Sequence, residues 1–410
     1  MKHTILLFLL AVSSLMSAAQ NNFAKNYRAY LVRQDSNTVL FNIETTTENG
    51  QPVFYILNAE EKIKVSPVIV KDDSVKFSMP VFESYFAAKK NTDGSLQGTW
   101  TKGTGGDFQY WPFFAFANQT HRFIKNQGAA RQNISGRWDV TITRSNGTLR
   151  KAVAEFFQRG DKLAGTFLTP SGDYRYLDGI VTGDSLKLST FDGAHAYIFY
   201  AKINSAAKIS GGVFYSGING KETWEAVRND TVQTPAQHEP TQLREGESKL
   251  NFTFNDLNGK PVSIKDKRYK NKVVIIQVMG SWCPNCMDET KFLSEYYNAN
   301  KNRGVEVIGL AYEYSTDTER SKKSLAKFQK LFNVQYPMLI SGATASDEKK
   351  TEKTLPQLTP IRSFPTTIFI DKKGNVREIH GTFYGPGTGS FYEAFKKDFT
   401  ELIDRLLSED

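Results

Sequence analysis

Two cysteines constrain the fold of this 410-residue chain more than any other feature. Cys283 and Cys286 are its only cysteines, and they follow the apolar run Val273–Met279 almost directly. A nearly continuous run of β-branched residues is typical of a strand that is buried on both faces. The residues from Asp288 onward have a helical pattern with acidic side chains in the first turn. The cysteine pair is therefore predicted to lie in the turn between a buried strand and a helix.

This position predicts a reactive thiol pair. Free N–H groups and the dipole at a helix start favour an anion, so Cys283 should ionise readily, and Pro284 suits the first helical position. Cys286 lies one turn further along the same helix face, where the two sulfurs can form a disulfide with little backbone movement. Asp288 and Glu289 partly oppose a thiolate. The alternative is an inert structural disulfide, but a four-residue loop gives little chain-entropy stabilisation.

Strands alternate with helices through residues 250–410. The Asn258-Gly259 pair indicates a hairpin turn. Further strands are predicted at 305–312, 338–340, 367–370 and 376–380, and helices at 321–332 and 390–407. Such an alternation predicts an α/β layered domain.

The motifs of this domain resemble a known fold. The segment Trp282-Cys-Pro-Asn-Cys286 after a buried strand, with Phe364-Pro-Thr366 before a later strand, resembles the thioredoxin fold. Three further features make residues 250–408 similar to the TlpA/ResA-type extracytoplasmic thiol-disulfide oxidoreductases of bacteria: the hairpin at Asn258-Gly-Lys260, Glu313 after the second strand of the α/β pattern, and Phe369-Ile-Asp371 with its following turn.

The resemblance implies a role for each residue. Cys283 would be an exposed nucleophile that attacks the disulfide of a client protein, and Cys286 would resolve the mixed disulfide. Pro365 would be a cis-proline near the sulfurs, and Glu313 a partly buried acid near Cys286 that exchanges protons with its thiol. A plain loop proline and a solvated loop acid are the alternatives. A membrane electron donor would keep the pair reduced, with no cofactor beyond the Cys283–Cys286 disulfide.

Residues around the pair are expected to contact the substrate: Trp282, Pro284, Asn285 and Phe364. Phe364 departs from the family, which more often has a small or β-branched residue before the proline. Its ring is expected to cover the sulfurs or to select the partner. Residues 341–360 look inserted, are rich in Lys and Glu, and are expected to narrow the active-site cleft.

The first half of the chain predicts an all-β region. Short alternating apolar stretches, separated by Asn, Asp and Gly, read as strands and hairpins. Three sets of residues recur at a spacing of 111 to 113: Asp73–Ser78 with Asp184–Ser189, Phe86 with Phe199, and Arg33 with Arg144. We therefore predict two β-rich repeats, 20–130 and 131–230, each a meander or small barrel, followed by a linker at 231–249. Chance similarity between amphipathic strands is the alternative.

Two further features of this β-rich region are weaker indications of its fold and function. The opening Gly136-Arg-Trp138 is similar to that of lipocalin-like barrels. Four aromatic residues either line a ligand cavity or belong to the core: Trp111, Phe113, Phe114 and Phe116.

Residues 1–19 predict an export signal. Lys2 and His3 precede an apolar run at 5–12, and small residues follow at 17–19. The mature protein is therefore expected to be soluble and to lie outside the inner membrane, in the periplasm or beyond. The net charge of +9 is scattered, and no nucleic-acid-binding motif accompanies it, so nucleic acid is not an expected partner.

These observations predict a disulfide reductase of envelope proteins, with two alternatives. A thiol peroxidase needs Thr or Ser three residues before its cysteine and Pro seven before, where this chain has Gly280 and Ile276. A ligand- or partner-binding β-rich protein with an accessory redox domain is the second alternative. Metal is not expected, because no histidine lies near the cysteines to complete a zinc site.

Overall fold

A computed structural model describes residues 23–124 and 128–409, so the predicted signal at 1–19 lies outside the described residues. In the described part, the chain forms two nine-stranded antiparallel sheets followed by a seven-stranded mixed sheet with helices. The predicted fold class, an all-β region before an α/β domain, is confirmed. No helix within these two ranges has the length and apolar character needed to cross a membrane.

The first sheet is a meander that we call the first barrel. Its strands are β1 (Asn26–Val32), β2 (Thr38–Glu48), β3 (Gln51–Asn58), β4 (Glu61–Val65), β5 (Val68–Lys71), β6 (Ser74–Ser78), β7 (Ser84–Lys90), β8 (Leu96–Gly103) and β9 (Phe108–Ala117). The first strand pairs with the last, while β4 and β5 are the two end strands. Trp111 and Phe113 lie in its core, whereas Phe116 is 37% exposed, because successive side chains of a strand point to opposite faces.

The second sheet closes completely, and we call it the second barrel. Its strands are β10 (Gly136–Thr143), β11 (Leu149–Arg159), β12 (Lys162–Thr169), β13 (Gly172–Asp173), β14 (Leu177–Thr182), β15 (Ser185–Phe191), β16 (Ala196–Ser205), β17 (Lys208–Ser216) and β18 (Gly220–Arg228). β10 pairs with both β11 and β18, and β12 pairs with both β11 and β14, which completes the ring. A closed ring has no free edge strands.

The two barrels are structural repeats. Phe77 is opposite Phe86 in the β6–β7 hairpin, and Leu188 is opposite Phe199 in the β15–β16 hairpin. Arg33 follows β1 and Arg144 follows β10, and each donates its N–H to the carbonyl four residues later at 2.9 Å. The prediction of a duplicated β-unit is thus confirmed by equivalent strand pairs.

The third sheet has the order β20-β19-β23-β22-β21-β24-β25. Its strands are β19 (Thr253–Asp256), β20 (Pro261–Ser263), β21 (Val273–Met279), β22 (Val305–Ala311), β23 (Met338–Ile340), β24 (Thr366–Ile370) and β25 (Val376–His380). The helices are α1 (Pro284–Asn300), α2 (Thr318–Leu331), α3 (Lys350–Thr354) and α4 (Ser390–Ser408). The central strand β21 is buried at every residue, as expected for a strand covered on both faces. We call this thioredoxin-like part the redox domain.

The segment 341–360 does not narrow the active-site cleft, contrary to the expectation. It contains the short helix α3, and it packs against residues 242–244 of the predicted linker. Arg244 N–H donates to the Gln357 carbonyl at 2.8 Å, and Thr359 N–H donates to the Gln242 carbonyl at 2.8 Å. The apolar residues Leu355 and Leu358 are buried in the core on this side of the sheet, which holds the segment away from the cysteines.

Candidate active site

The cysteine pair lies at the start of α1. Cys283 is the N-cap residue, Pro284 is the first helical residue, and the Cys286 N–H donates to Cys283 Sγ at 3.2 Å. Both cysteines are free thiols. A sulfur that accepts a helix N–H is stabilised as an anion by that bond and by the helix dipole. The local geometry is the one that the strand–turn–helix pattern predicted.

Cys286 is sealed inside the protein. Its side chain has no exposed surface. Burial, and then the neighbouring Cys283 sulfur, raises the pKa of the Cys286 thiol well above its usual value. The two cysteines therefore differ, because Cys283 Sγ accepts a helix N–H, whereas burial disfavours the ionised form of the Cys286 thiol.

The loop before β24 lies against Cys283. The Phe364–Pro365 peptide bond is cis, the conformation that the resemblance implied, and Cys283 Sγ donates to the Phe364 carbonyl at 3.5 Å. The Phe364 ring packs edge-on against Trp282 at 5.3 Å and also contacts Tyr312 at 5.7 Å. This ring is thus fixed between two other aromatic side chains beside the cysteine loop.

The position of Glu313 requires a correction. Its carboxylate accepts the Ser281 N–H at 2.8 Å and the Ser281 hydroxyl at 2.5 Å, two residues before Cys283. Burial raises the pKa of Glu313, while these two bonds oppose the rise. Glu313 therefore holds the loop that precedes the cysteines, and it is a different carboxylate whose charge acts on Cys286.

That carboxylate belongs to Glu289, for which the sequence predicted only a charge that opposes a thiolate. Glu289 is 2% exposed and accepts the Thr367 hydroxyl at 2.6 Å. Burial raises its pKa to about 7, and its charge contributes to the raised pKa of Cys286. A signal existed in the sequence, because Glu289 follows Cys286 by three residues and shares its helix face.

The second barrel covers the cysteine loop, which corrects the expectation of an exposed nucleophile. Cys283 is only 5% exposed and Asn285 only 7% exposed. The β12–β13 hairpin packs on this loop so closely that a Cβ at Gly172, the first residue of β13, would lie 2.0 Å from Asn285 Nδ2. Sequence patterns could not reveal this contact, because it joins residues more than 100 positions apart.

A buried ion cluster holds the barrels to α1. Arg175, after β13, makes two bonds to Asp288 at 2.8 and 3.0 Å and bonds Asp192 at 3.1 Å and Glu61 at 2.6 Å. Although burial alone would lower it, these carboxylates raise the pKa of Arg175 well above its usual value. The cluster joins both barrels to the redox domain and pairs Asp288, an acid that was expected to oppose a thiolate, with a cation.

A cleft of about 510 Å³ separates the second barrel from the cysteine loop. We call it the interdomain cleft. Its walls include Tyr174, Tyr197 and Phe214 from the barrel, and Cys283, Asn285 and Phe364 from the redox domain. Trp282 and Pro284 also line it, so the four residues predicted to contact substrate lie together with Cys283 on one cavity.

Comparison with known proteins agrees with this site. Residues 244–386 match the Redoxin family. The chain is 31% identical over 137 residues to the thiol-disulfide oxidoreductase ResA of Bacillus thuringiensis subsp. konkukian, covering 33% of this chain and 69% of the relative. It is 26% identical over 161 residues to ResA of Bacillus subtilis, covering 39% of this chain and 76% of that relative.

Two solved structures are also similar. A thiol:disulfide interchange protein of the thioredoxin family from Chlorobium tepidum TLS has 22% identity and a TM-score of 0.29, covering 42% of this chain and 100% of the other. A DsbF homologue from Corynebacterium diphtheriae has 22% identity and a TM-score of 0.29, with 40% and 97% covered. With its Redoxin region and its ResA relatives, the chain belongs through its C-terminal domain to the ResA/TlpA-type thiol-disulfide oxidoreductases.

Proposed function

We propose that this thiol-disulfide oxidoreductase works outside the cytoplasm as a disulfide reductase, with Cys283 and Cys286 as its electron-donating dithiol. The observation that carries the proposal is the hydrogen bond from the Cys286 N–H to Cys283 Sγ, beside the carbonyl of Phe364. A sulfur at this position is stabilised as the attacking thiolate, and its partner is one helical turn away.

The reaction has two exchange steps. The Cys283 thiolate attacks one sulfur of the substrate disulfide, forms a mixed disulfide and releases the other substrate half as a thiolate. Cys286, once deprotonated, attacks Cys283 Sγ, which releases the second half and leaves a Cys283–Cys286 disulfide. The substrate gains two electrons and the enzyme loses two. A membrane electron donor of the thiol-transfer type would then restore the dithiol.

Glu289 is the base that we assign to the second step. Cys286 is sealed from water and has a raised pKa, so its proton needs an acceptor inside the protein. Glu289 has a pKa of about 7 and its charge acts on that thiol. A base whose pKa lies near the working pH is well suited to accept the proton. Pro365 and Phe364 would position the substrate, and Glu313 would position the cysteine loop through Ser281.

The direction of electron flow is tested by equilibrating the protein with glutathione redox buffers. A reductase is expected to have a reduction potential near the thioredoxin value of about −270 mV, whereas about −120 mV is typical of a strong oxidase. A potential at the oxidising end would overturn the proposed direction. The proposed compartment is tested separately, by fractionating cells and locating the protein.

The base is tested by stopped-flow release of the mixed disulfide. Glu289→Gln should slow the second step about a hundredfold, and the remaining rate should no longer rise between pH 6 and 8. Glu295→Gln is the matched control, because Glu295 is exposed on the same helix. An unchanged pH profile in Glu289→Gln would remove this residue from the mechanism.

A further inference from the structure

The interdomain cleft limits what can reach Cys283. This cysteine is 5% exposed, and it lies on a cavity of about 510 Å³ rather than on an open face. Cavities of about 300–1,000 Å³ are typical of small-molecule sites. A cleft of this volume matches a small disulfide better than it matches the convex surface of a folded protein.

The barrel is fixed over the cysteine loop by several bonds besides the Arg175 cluster. The Gly385 N–H donates to Asp173 at 2.7 Å. The Thr382 hydroxyl donates to the Pro170 carbonyl at 2.6 Å, and the Tyr384 hydroxyl donates to the Thr169 carbonyl at 3.1 Å. These bonds join the β12–β13 turn to the segment after β25. Because these bonds all join the same two segments, opening the cleft would require breaking them together.

The charged side chains that line the interdomain cleft differ in how fully they are already bonded to neighbouring groups. Its two carboxylates are already bonded: Glu222 accepts from Arg150 at 2.8 Å, and Asp173 accepts two backbone N–H groups. Lys102 makes one hydrogen bond, to the Ala194 carbonyl at 2.6 Å, and has no ion pair in the described part of the chain. Burial lowers the pKa of Lys102, while Asp192 opposes this. An ammonium group has three donors, so Lys102 has two left for an anionic ligand.

We propose that the interdomain cleft is a substrate site for low-molecular-weight disulfides that carry a carboxylate, with Lys102 as the residue that selects the negative charge. The proposal rests on the proposed function of the cysteine pair and names its substrate class. One substrate sulfur becomes bonded to Cys283, the other half leaves as a thiolate, and Cys286 later displaces the first half. The two electrons come from the enzyme dithiol, so no further reactant is needed.

The size limit is tested with Cys286→Ser, which leaves Cys283 as the single thiol of the chain. Mass spectrometry measures how fast Cys283 forms a mixed disulfide with glutathione disulfide, a small carboxylate-bearing probe, and with the disulfides of folded insulin. Each rate is divided by the rate at which the free thiol N-acetylcysteine reacts with the same disulfide. The normalised rate for glutathione disulfide is expected to be at least tenfold the rate for insulin.

The charge preference is tested with Lys102→Met in the wild-type cysteine background. The rate with glutathione disulfide should fall about tenfold, and the rate with cystamine, a small cationic disulfide, should not fall. Lys102→Arg should restore most of the loss, which a merely structural role would not predict. Lys76→Met is the matched control, because Lys76 is exposed on the first barrel, and it should react like wild type.

The outcomes separate the two proposals. If Cys283 reacts with neither disulfide, the proposed function fails. If it reacts with insulin as fast as with glutathione disulfide after normalisation, the small-substrate site is wrong and the reductase function stands. If Lys102→Met slows glutathione disulfide and cystamine equally, the charge selection is wrong.

Discussion

The two barrels share one strand pattern but differ in how they contact the redox domain. The first barrel has free end strands at β4 and β5, and it reaches α2 through an ion pair between Glu83 and Arg320 that is about one-third exposed. The second barrel is closed, and it reaches the start of α1 through buried Arg175. The repeat that touches the cysteine loop is thus the one with the more complete hydrogen bonding.

One short strand accounts for much of this difference. The strand that follows β3 has five residues, whereas the one that follows β12, β13, has two. Because β13 is short, β14 can pair directly with β12 and close the ring. The end of β13 and the residues after it then lie against the redox domain, where Asp173 and Arg175 make their bonds. The short strand, the closed ring and the contacts that cover the active site thus occur together in one repeat.

The largest expected effect is on stability, and it comes from removing the ion contact between each barrel and the redox domain. Arg175→Met leaves three carboxylates without their cation, and breaking a buried pair of this kind costs about 3–5 kcal/mol in the free energy of unfolding. Glu83→Gln in the first barrel removes a partly exposed pair, which is worth about 1 kcal/mol or less. Urea unfolding of both variants measures the difference. Equal losses would show that the two barrels are held to the redox domain in the same way.

Two hairpin glycines provide the next comparison. Gly172 has φ +133° and a Cβ there would meet Asn285, whereas Gly50 has φ +75° and nothing described lies within 4 Å of its Cβ. Gly50→Ala should cost about 1 kcal/mol of stability from backbone strain alone. Gly172→Ala should cost about 3 kcal/mol because overpacking adds to the strain, and it should also change the reaction rate of Cys283. A Gly172→Ala protein with wild-type kinetics would argue against tight contact at the cysteine loop.

The pH dependence of stability should have opposite signs in the two barrels. Burial raises the pKa of Asp173 to about 6, so its folded form binds more protons than the unfolded chain, and its contribution falls as pH rises from 5 to 7. The expected loss is about 1 kcal/mol, and Asp173→Asn should abolish it.

Asp35 in the first barrel has the opposite behaviour, because, although burial opposes this shift, hydrogen bonding to Arg33 lowers the pKa of Asp35. Asp35 should therefore contribute stability that is lost as the pH falls below about 4. Urea midpoints across pH check both signs.

The smallest effect concerns the edges of the sheets. β5 pairs only with β6, whereas β14 pairs on both sides. Amide hydrogen exchange at 68–71 should therefore be at least tenfold faster than at 177–182 in the native protein. β1 and β10, which are both paired on two sides, are the internal control and should exchange at similar rates. Similar exchange in β5 and β14 would indicate that the first barrel also closes in solution.

Local signals predicted part of the active site well. The run Val273–Met279 and the proline after Cys283 act through neighbouring residues, so the strand, turn and helix follow from them, although the structure begins α1 too early for Asp288 and Glu289 to lie in its first turn. The assignment of Glu313 as the acid near Cys286 was less successful, because both Glu289 and Glu313 are compatible with the sequence. Only the packing of α1 against β24, where Thr367 donates to Glu289, distinguishes them.

The sequence alone predicted the barrel repeats, the α/β domain and the strand–turn–helix position of the cysteine pair. These depend on periodicity and on residues within one or two turns of each other. Only the tertiary structure decided that Cys283 lies on a cleft and is almost fully buried, that Arg175 joins three parts of the chain, and that the charge of Glu289 acts on Cys286. Such contacts depend on how segments that are distant in the sequence pack against each other. Burial then sets the protonation and the accessibility of each group, and no local sequence pattern encodes either.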